Sequence, residues 1–314
     1  MPDGAAGETK VAVIGAGAVG GYYGGALARA GLDVALICRG EHRDAIVSDG
    51  LRVTSNWGDY TVHPTATPDS TEIGPVDLVL YAVKLYSNAS ALPLIEPLLG
   101  DGTVVLPVQN GTESAAKIAE SYGWDRVLAG TTYIEAARTG LGQIEQTGST
   151  ARIAFGEQDG NRSERVERVA QILERQGVQV EVSPDIRRTL WSKLVLVGAV
   201  GTVMAASRST YVEILGGPEG ETTVRTVMEE IYAVGESEGI AFEDGLIDSH
   251  LEGAREEALE MKASLQIDLE SGNPLEIDDL LGAVVRKGRA NAVPVPASAA
   301  LYATLYQFRN GPPA

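Results

Sequence analysis

The stretch from Lys10 to Gly40, KVAVIGAGAVGGYYGGALARAGLDVALICRG, limits what the chain can fold into more than any other. A short apolar run, KVAVI, enters a turn crowded with Gly15, Gly17, Gly20, Gly21, Gly24 and Gly25. The run predicts a buried strand. VGGYYGGALARAG predicts a helix that Gly31 ends, and DVALICRG predicts a second strand. Gly15, Ala16, Gly17, Ala18, Val19 and Gly20 match GxGxxG between that strand and that helix. Gly15 permits the tight turn, Gly17 leaves the backbone open to a pyrophosphate, and Gly20 lets the helix pack closely on the strand. The N–H groups at the helix start, with the positive end of its dipole, would face the phosphates. A packing turn is the plainer alternative; the strand–turn–helix setting favours a dinucleotide. Gly21, Gly24 and Gly25 are expected to let the helix lie close to its neighbours.

The end of the second strand chooses between dinucleotides. An acidic residue there would bind the ribose 2′-OH of NAD. The chain instead reads Ile37-Cys38-Arg39-Gly40, with Glu41 falling beyond the strand end. A guanidinium at this point can pair with a 2′-phosphate through charge-assisted, often bidentate bonds. Arg39 therefore predicts NADPH, against the alternative of a solvated surface arginine.

The 314 residues, 44% of them apolar, suffice for two domains with sizeable cores. The net charge of -18 argues against a general nucleic-acid binder. Cys38 is the single cysteine, so no internal disulfide or cysteine zinc cluster can form. His42, His63 and His250 are scattered without metal-ligand spacing. The start, MPDGAAGETK, lacks the features of a signal peptide and reads, over residues 1–9, as a mobile tail. No apolar run is expected to cross a bilayer without interruption. These features fit a cytoplasmic protein with no membrane partner and leave a homodimer open.

Residues 10 to 183 alternate apolar runs with helical patterns. VDLVLYAVK and TVVLPVQNG read as further continuous strands, which suggests a doubly wound α/β sheet buried on both faces. RVLAGTTYIEAART, GQIEQTG and ARIAFGE read as three more strands, RSERVERVAQILERQG as an amphipathic helix and VQVEVS as a last strand. From Pro184 the chain reads as helix after helix. The expected organisation is a Rossmann-like NADP-binding domain over 1–183 and an all-helical substrate domain over 184–314.

Lys193 sits in WSKLV, where the neighbours Trp191, Leu194, Val195 and Leu196 are apolar nearly all round. That predicts a buried lysine, and lysine is rarely buried without a partner or a task. Lys84 and Asn110 each lie just past an apolar strand, where doubly wound sheets bind their ligands. A loop lysine and an Asn-Gly turn are their plainer readings. Asn273-Pro274 reads as a helix start, so Glu276 could simply favour a helix N-terminus.

Taken in order, the glycine stretch, AVKLY (82–86), VQNG (108–111), AGTTYIEAARTGLGQIEQTG (129–148), LWSKLV (190–195) and LEIDDLLG (275–282) resemble the 2-dehydropantoate 2-reductase (ketopantoate reductase) family over nearly the whole chain. The resemblance implies NADPH-dependent reduction of a 2-oxo acid, by default in pantothenate biosynthesis. It implies that Lys193 is the general acid and that Glu276 binds the substrate hydroxyl and arranges the site. It further implies that Ser264 contacts the substrate carboxylate, that Asn110 contacts cofactor and substrate, and that Lys84 lies near the nicotinamide ribose.

The chain departs from the family in three places. Leu275 replaces the Thr of the family's TEID. Val197 and Gly201 stand where asparagines commonly follow the lysine, and residues at i, i+4 and i+8 share one helix face. The substrate-binding face is therefore smoother than usual, with Gly201 expected to open room beside it. A paralogous ketone or 2-oxo acid reductase with a changed pocket is the first rival reading, and a non-catalytic NADPH sensor the second. The retained Lys193 and Glu276 weigh against the sensor.

Overall fold

A computed structural model describes residues 9–256 and 262–313. The tail expected over 1–9 falls, up to Glu8, outside the described residues, as do residues 257–261, within the region expected to be helical from Pro184 on. The chain divides into two compact units, Met1–Ile186 and Arg187–Ala314.

The first unit runs β1 (Lys10–Ile14), α1 (Ala18–Arg29), β2 (Asp33–Ile37), α2 (Gly40–Asp49), β3 (Leu51–Thr54), β4 (Tyr60–Val62), β5 (Thr65–Thr67), β6 (Leu78–Tyr81), α3 (Asn88–Ala91), β7 (Val104–Pro107), α4 (Ser114–Tyr122), β8 (Ala129–Gly140), β9 (Gln143–Gly156), α5 (Glu164–Leu173) and β10 (Gln179–Val182). Its first sheet is entirely parallel, in the order β5-β2-β1-β6-β7. Val11 to Ile14 and Leu78 to Tyr81 are buried without alternation. A strand covered on both faces needs apolar residues at every position. This is the Rossmann-like arrangement expected from the sequence. The strand order reverses direction around β1, which puts the ligand end at the C-termini of β1, β6 and β7.

The later strands build a second sheet rather than extending the first. β10, β9, β3 and β4 lie side by side, and β8 pairs antiparallel with β9. GQIEQTG and ARIAFGE, read as separate strands, are one strand, β9. Gly148, at φ +74°, lies within the irregularity of pairing opposite Ile134 and Glu135. A bulge of this kind breaks the sequence pattern without ending the strand.

Helix α1 packs against both sheets through its glycines. A Cβ at Gly24 would stand 2.7 Å from Leu36 Cδ2 of the parallel sheet, and one at Gly21 2.9 Å from Ile144 Cγ1 of the second. Tyr22 donates from its hydroxyl to the Gly177 carbonyl at 2.7 Å, and Tyr23 is hydrogen-bonded to Thr132. These buried phenols fix the helix's rotation, because a buried hydroxyl needs a partner.

The second unit is helical throughout its described residues. After α6 (Ile186–Ser207) come α7 (Tyr211–Leu215), α8 (Pro218–Ser237), α9 (Leu246–Glu256), α10 (Ser264–Glu270), α11 (Leu281–Ala290) and α12 (Pro296–Leu305). Its core includes Trp191, Leu194, Val195, Val227, Ile231, Ile277 and Val284. Buried Glu230 of α8 accepts the N–H groups of Ala297 and Ser298 at 2.8 and 2.7 Å. That carboxylate supplies acceptors the start of α12 lacks, and it suits the positive end of the helix dipole. Contrary to the expectation of no bilayer-length run, α6 is long and apolar enough to cross a membrane, and 72% of its most apolar window is buried. Packing in a protein core makes the same demand for apolar residues all round.

Candidate active site

The glycine turn is shaped by what each Cβ would meet. Gly15 has φ +95°, and a Cβ there would come within 2.8 Å of Val83 Cγ1. A Cβ at Gly20 would overlap the Gly15 carbonyl and reach 3.0 Å from Ala82 Cβ and Val13 Cγ1. Gly17 is different: no heavy atom lies within 4 Å of its Cβ position. Gly17 is also the N-cap of α1, no side chain caps the helix, and its first turn holds no acid. The N–H groups of Ala18, Val19 and Gly20 thus open a helix that brings no anion of its own. An open backbone, unsatisfied donors and a positive dipole end fit a diphosphate.

Arg39 is the N-cap of α2, directly after β2, and it is exposed. Glu41 is inside the first turn of α2 and not at the strand end. Arg43, one turn beyond Arg39, is ion-paired with Asp44 at 2.8 Å. Burial pushes the Cys38 thiol up to about 11, against a smaller opposing pull from Arg43. That shift disfavours the thiolate on which nucleophilic chemistry depends.

Lys84 and Asn110 leave the C-terminal ends of β6 and β7, and both are half-buried. Gln109, buried beside Asn110, donates to the Val83 carbonyl at 2.7 Å and to Asn88 Oδ1 at 2.8 Å. Val83 is the residue that touches Gly15. The first unit thus brings the glycine turn, the Lys84 loop and the Asn110 loop together, with Gln109 as the brace. Gln109 lies inside VQNG, where residue type alone does not single it out beside Asn110. His42, weighed in the sequence only for metal-ligand spacing, is 6% exposed and bonded to the glycine turn.

The second unit holds the other candidates. Lys193 is 8% exposed in α6, between buried Trp191 and Leu194. Val197, one turn on, is half-buried. Gly201 faces Ala263 and Leu265: a Cβ there would stand in ordinary contact, 3.7 Å from Ala263 Cβ and 4.0 Å from Leu265 Cβ. Those residues flank Ser264, which is exposed at the start of α10. The face that begins at Lys193 therefore runs to the Ser264 turn. Buried Glu276 opens a 3-10 turn, Glu276–Asp278, that leads into α11. Tyr302 donates to Asp278 Oδ1 at 2.6 Å and steadies this turn. Burial, and then the Asp278 carboxylate, push the Tyr302 phenol up to about 12. His250 donates to the Ser192 carbonyl at 3.0 Å, and burial lowers its pKa. No metal-binding group of His, Cys, Asp and Glu occurs among the described residues.

Comparisons with known proteins bear on the family of the whole chain. The family description "Ketopantoate reductase PanE/ApbA" matches residues 11–160, and its C-terminal counterpart matches residues 185–308. A 2-dehydropantoate 2-reductase of Mesorhizobium japonicum is 34% identical over 91% of this chain and 94% of its own length. The structure of 2-dehydropantoate 2-reductase from Geobacter metallireducens superposes with a TM-score of 0.89 at 32% identity, covering 95% of this chain and 99% of that one. A PanE/ApbA family ketopantoate reductase from Ralstonia eutropha gives 0.87 at 34% identity, covering 95% and 97%. Matched in both its parallel-sheet unit and its helical unit, the chain belongs to the ketopantoate reductase family, oxidoreductases that act on a carbonyl and its alcohol.

Proposed function

We propose that the protein reduces a 2-oxo acid to the 2-hydroxy acid with NADPH, with 2-dehydropantoate to pantoate as the default reaction and the cytoplasm as its setting. The observation that carries this reading is the burial of Lys193 at the head of the apolar stretch Leu194–Val200 of α6. Reduction of a ketone builds negative charge on the carbonyl oxygen. The Lys193 ammonium, where little water competes, stabilises that charge and delivers the proton. The glycine turn would hold the cofactor's diphosphate, Arg39 its 2′-phosphate, and Lys84 and Asn110 its nicotinamide end; the reduced cofactor would supply the hydride. Glu276 binds the developing hydroxyl and Ser264 the substrate carboxylate. The test follows NADPH oxidation against a panel of 2-oxo acids that includes 2-dehydropantoate. Turnover of at least one is expected; turnover of none would remove the proposal.

A second reading keeps the chemistry and changes the substrate. It rests on Val197 and Gly201, which give the Lys193 face no amide, and on Ala263 and Leu265, which line it beside Gly201. A hydrogen bond to substrate is worth about 1 kcal/mol, and each buried methylene about 0.8 kcal/mol. Val197→Asn is therefore expected to shift the ratio of kcat/KM toward 2-dehydropantoate, and away from larger apolar 2-oxo acids, by roughly fivefold. A wild type that already prefers 2-dehydropantoate strongly, with a ratio unmoved by the substitution, would show that this face does not set specificity.

A further inference from the structure

His42 lies in α2, outside every motif described above, yet it joins two turns that are remote in sequence. Its Nε2 is 2.8 Å from the Ala16 carbonyl oxygen, and the Gly142 N–H points at its Nδ1 at 3.1 Å. A carbonyl can only accept and a backbone N–H can only donate, so the two contacts leave one protonation state. Nε2 carries the proton and Nδ1 is bare. Burial lowers the pKa of His42, which favours the same neutral ring. Gly142 lies in the β8–β9 turn, and its own carbonyl accepts the Arg52 N–H of β3 at 2.9 Å. A chain of hydrogen bonds thus runs from the second sheet, through the imidazole, to the middle of the glycine turn.

Ala16 is the residue whose carbonyl matters there. The Ala16 C=O and the Gly17 N–H belong to one planar trans peptide, so they point in opposite directions. An Ala16 carbonyl held by His42 turns the Gly17 N–H away from α2. Within the GxGxxG turn, Gly17 is the glycine with open space at its Cβ position. We propose that His42 is a positioning residue for the dinucleotide: it holds the Ala16–Gly17 peptide so that the Gly17 N–H faces the diphosphate, and the β8–β9 turn holds His42 in the tautomer that can do so. The proposal rests on the reading of the glycine turn as the diphosphate site. It does not depend on Arg39, because NADH and NADPH share the diphosphate.

The experiment measures dissociation constants for NADPH and NADH with wild type, His42→Ala, His42→Gln and His42→Asn. A glutamine amide reaches about as far as Nε2 and can still donate to Ala16. An asparagine amide reaches only about as far as Nδ1 and serves Gly142 alone. His42→Ala is expected to weaken both dinucleotides by about tenfold, the scale of one lost positioning bond. His42→Asn should match it, and His42→Gln should stay within about threefold of wild type. In turnover the loss should fall on KM for the cofactor. If His42→Ala does not fold, the glutamine and asparagine variants decide by the same measure. The proposal is overturned if folded variants bind both dinucleotides within about twofold of wild type, if His42→Gln is as weak as His42→Asn, or if the loss is confined to kcat. Failure of the NADPH reading would look different: Arg39→Ala would then leave the two cofactors equally affected, whatever His42 does.

Discussion

Lys193→Ala is expected to lower kcat on the order of 10²-fold or more, the usual scale of a lost general acid. The dissociation constant for NADPH should stay close to that of wild type, because the proposed cofactor contacts lie in the parallel-sheet unit and Lys193 does not. Single-turnover measurements at saturating NADPH separate the two effects, since they read the chemical step after binding. The variant needs a check of its fold, because a buried ammonium that leaves α6 exchanges a polar group for a small void. Near-normal turnover by a folded variant would make Lys193 a structural residue and would remove the acid from the proposed mechanism.

Arg39→Ala is expected to weaken NADPH by about 10- to 100-fold and to leave NADH nearly unchanged. The range corresponds to roughly 1.5–3 kcal/mol for a hydrogen bond to a charged group. Arg39 is exposed at the N-cap of α2, so salt should screen part of this preference. Titrations at two ionic strengths should show the NADPH advantage shrinking as salt rises. Equal weakening of both cofactors, or tighter NADH binding by wild type, would refute the assignment of Arg39 to a 2′-phosphate.

The four longer strands of the parallel sheet were legible in the sequence because they are buried on both faces. Unbroken runs such as VAVI and LVLY announce themselves without any need for register. The second sheet was harder. β4 has three residues and β3 four, too short for a pattern to emerge above the background of loops, and β5, the three-residue edge strand of the parallel sheet, escapes for the same reason. β9 was cut in two because Gly148, with its positive φ, looks like a strand end when it belongs to a bulge. Among the site candidates, the glycine turn is local and could be read as such. The burial of Lys193 followed from its apolar neighbours. His42 could not be found this way. Its partners are Ala16 and Gly142, both backbone groups far away in sequence, and backbone partners leave no mark in residue type. The neighbours of Gly201, Ala263 and Leu265, were beyond reach for a related reason: they come from a distant part of the chain.

The glycines of α1 also bear on when this helix can exist. Gly20, Gly21, Gly24 and Gly25 fall within its 12 residues. Each costs about 1 kcal/mol of helix propensity relative to alanine, and isolated helices of this length are marginal even without them. α1 should therefore have no life of its own in the unfolded chain. It becomes helical only when Leu36 and Val13 on one side, and Ile144 and Val53 on the other, close around it. The donors proposed for the diphosphate are then assembled last, with the two sheets, and they vanish with them. Amide exchange should show α1 opening together with β1 and β6, not ahead of them, and protection that α1 keeps after the strands have exchanged would refute this order. A dinucleotide bound at the turn would consequently stabilise the entire parallel-sheet unit by mass action, with no partly folded form able to retain it.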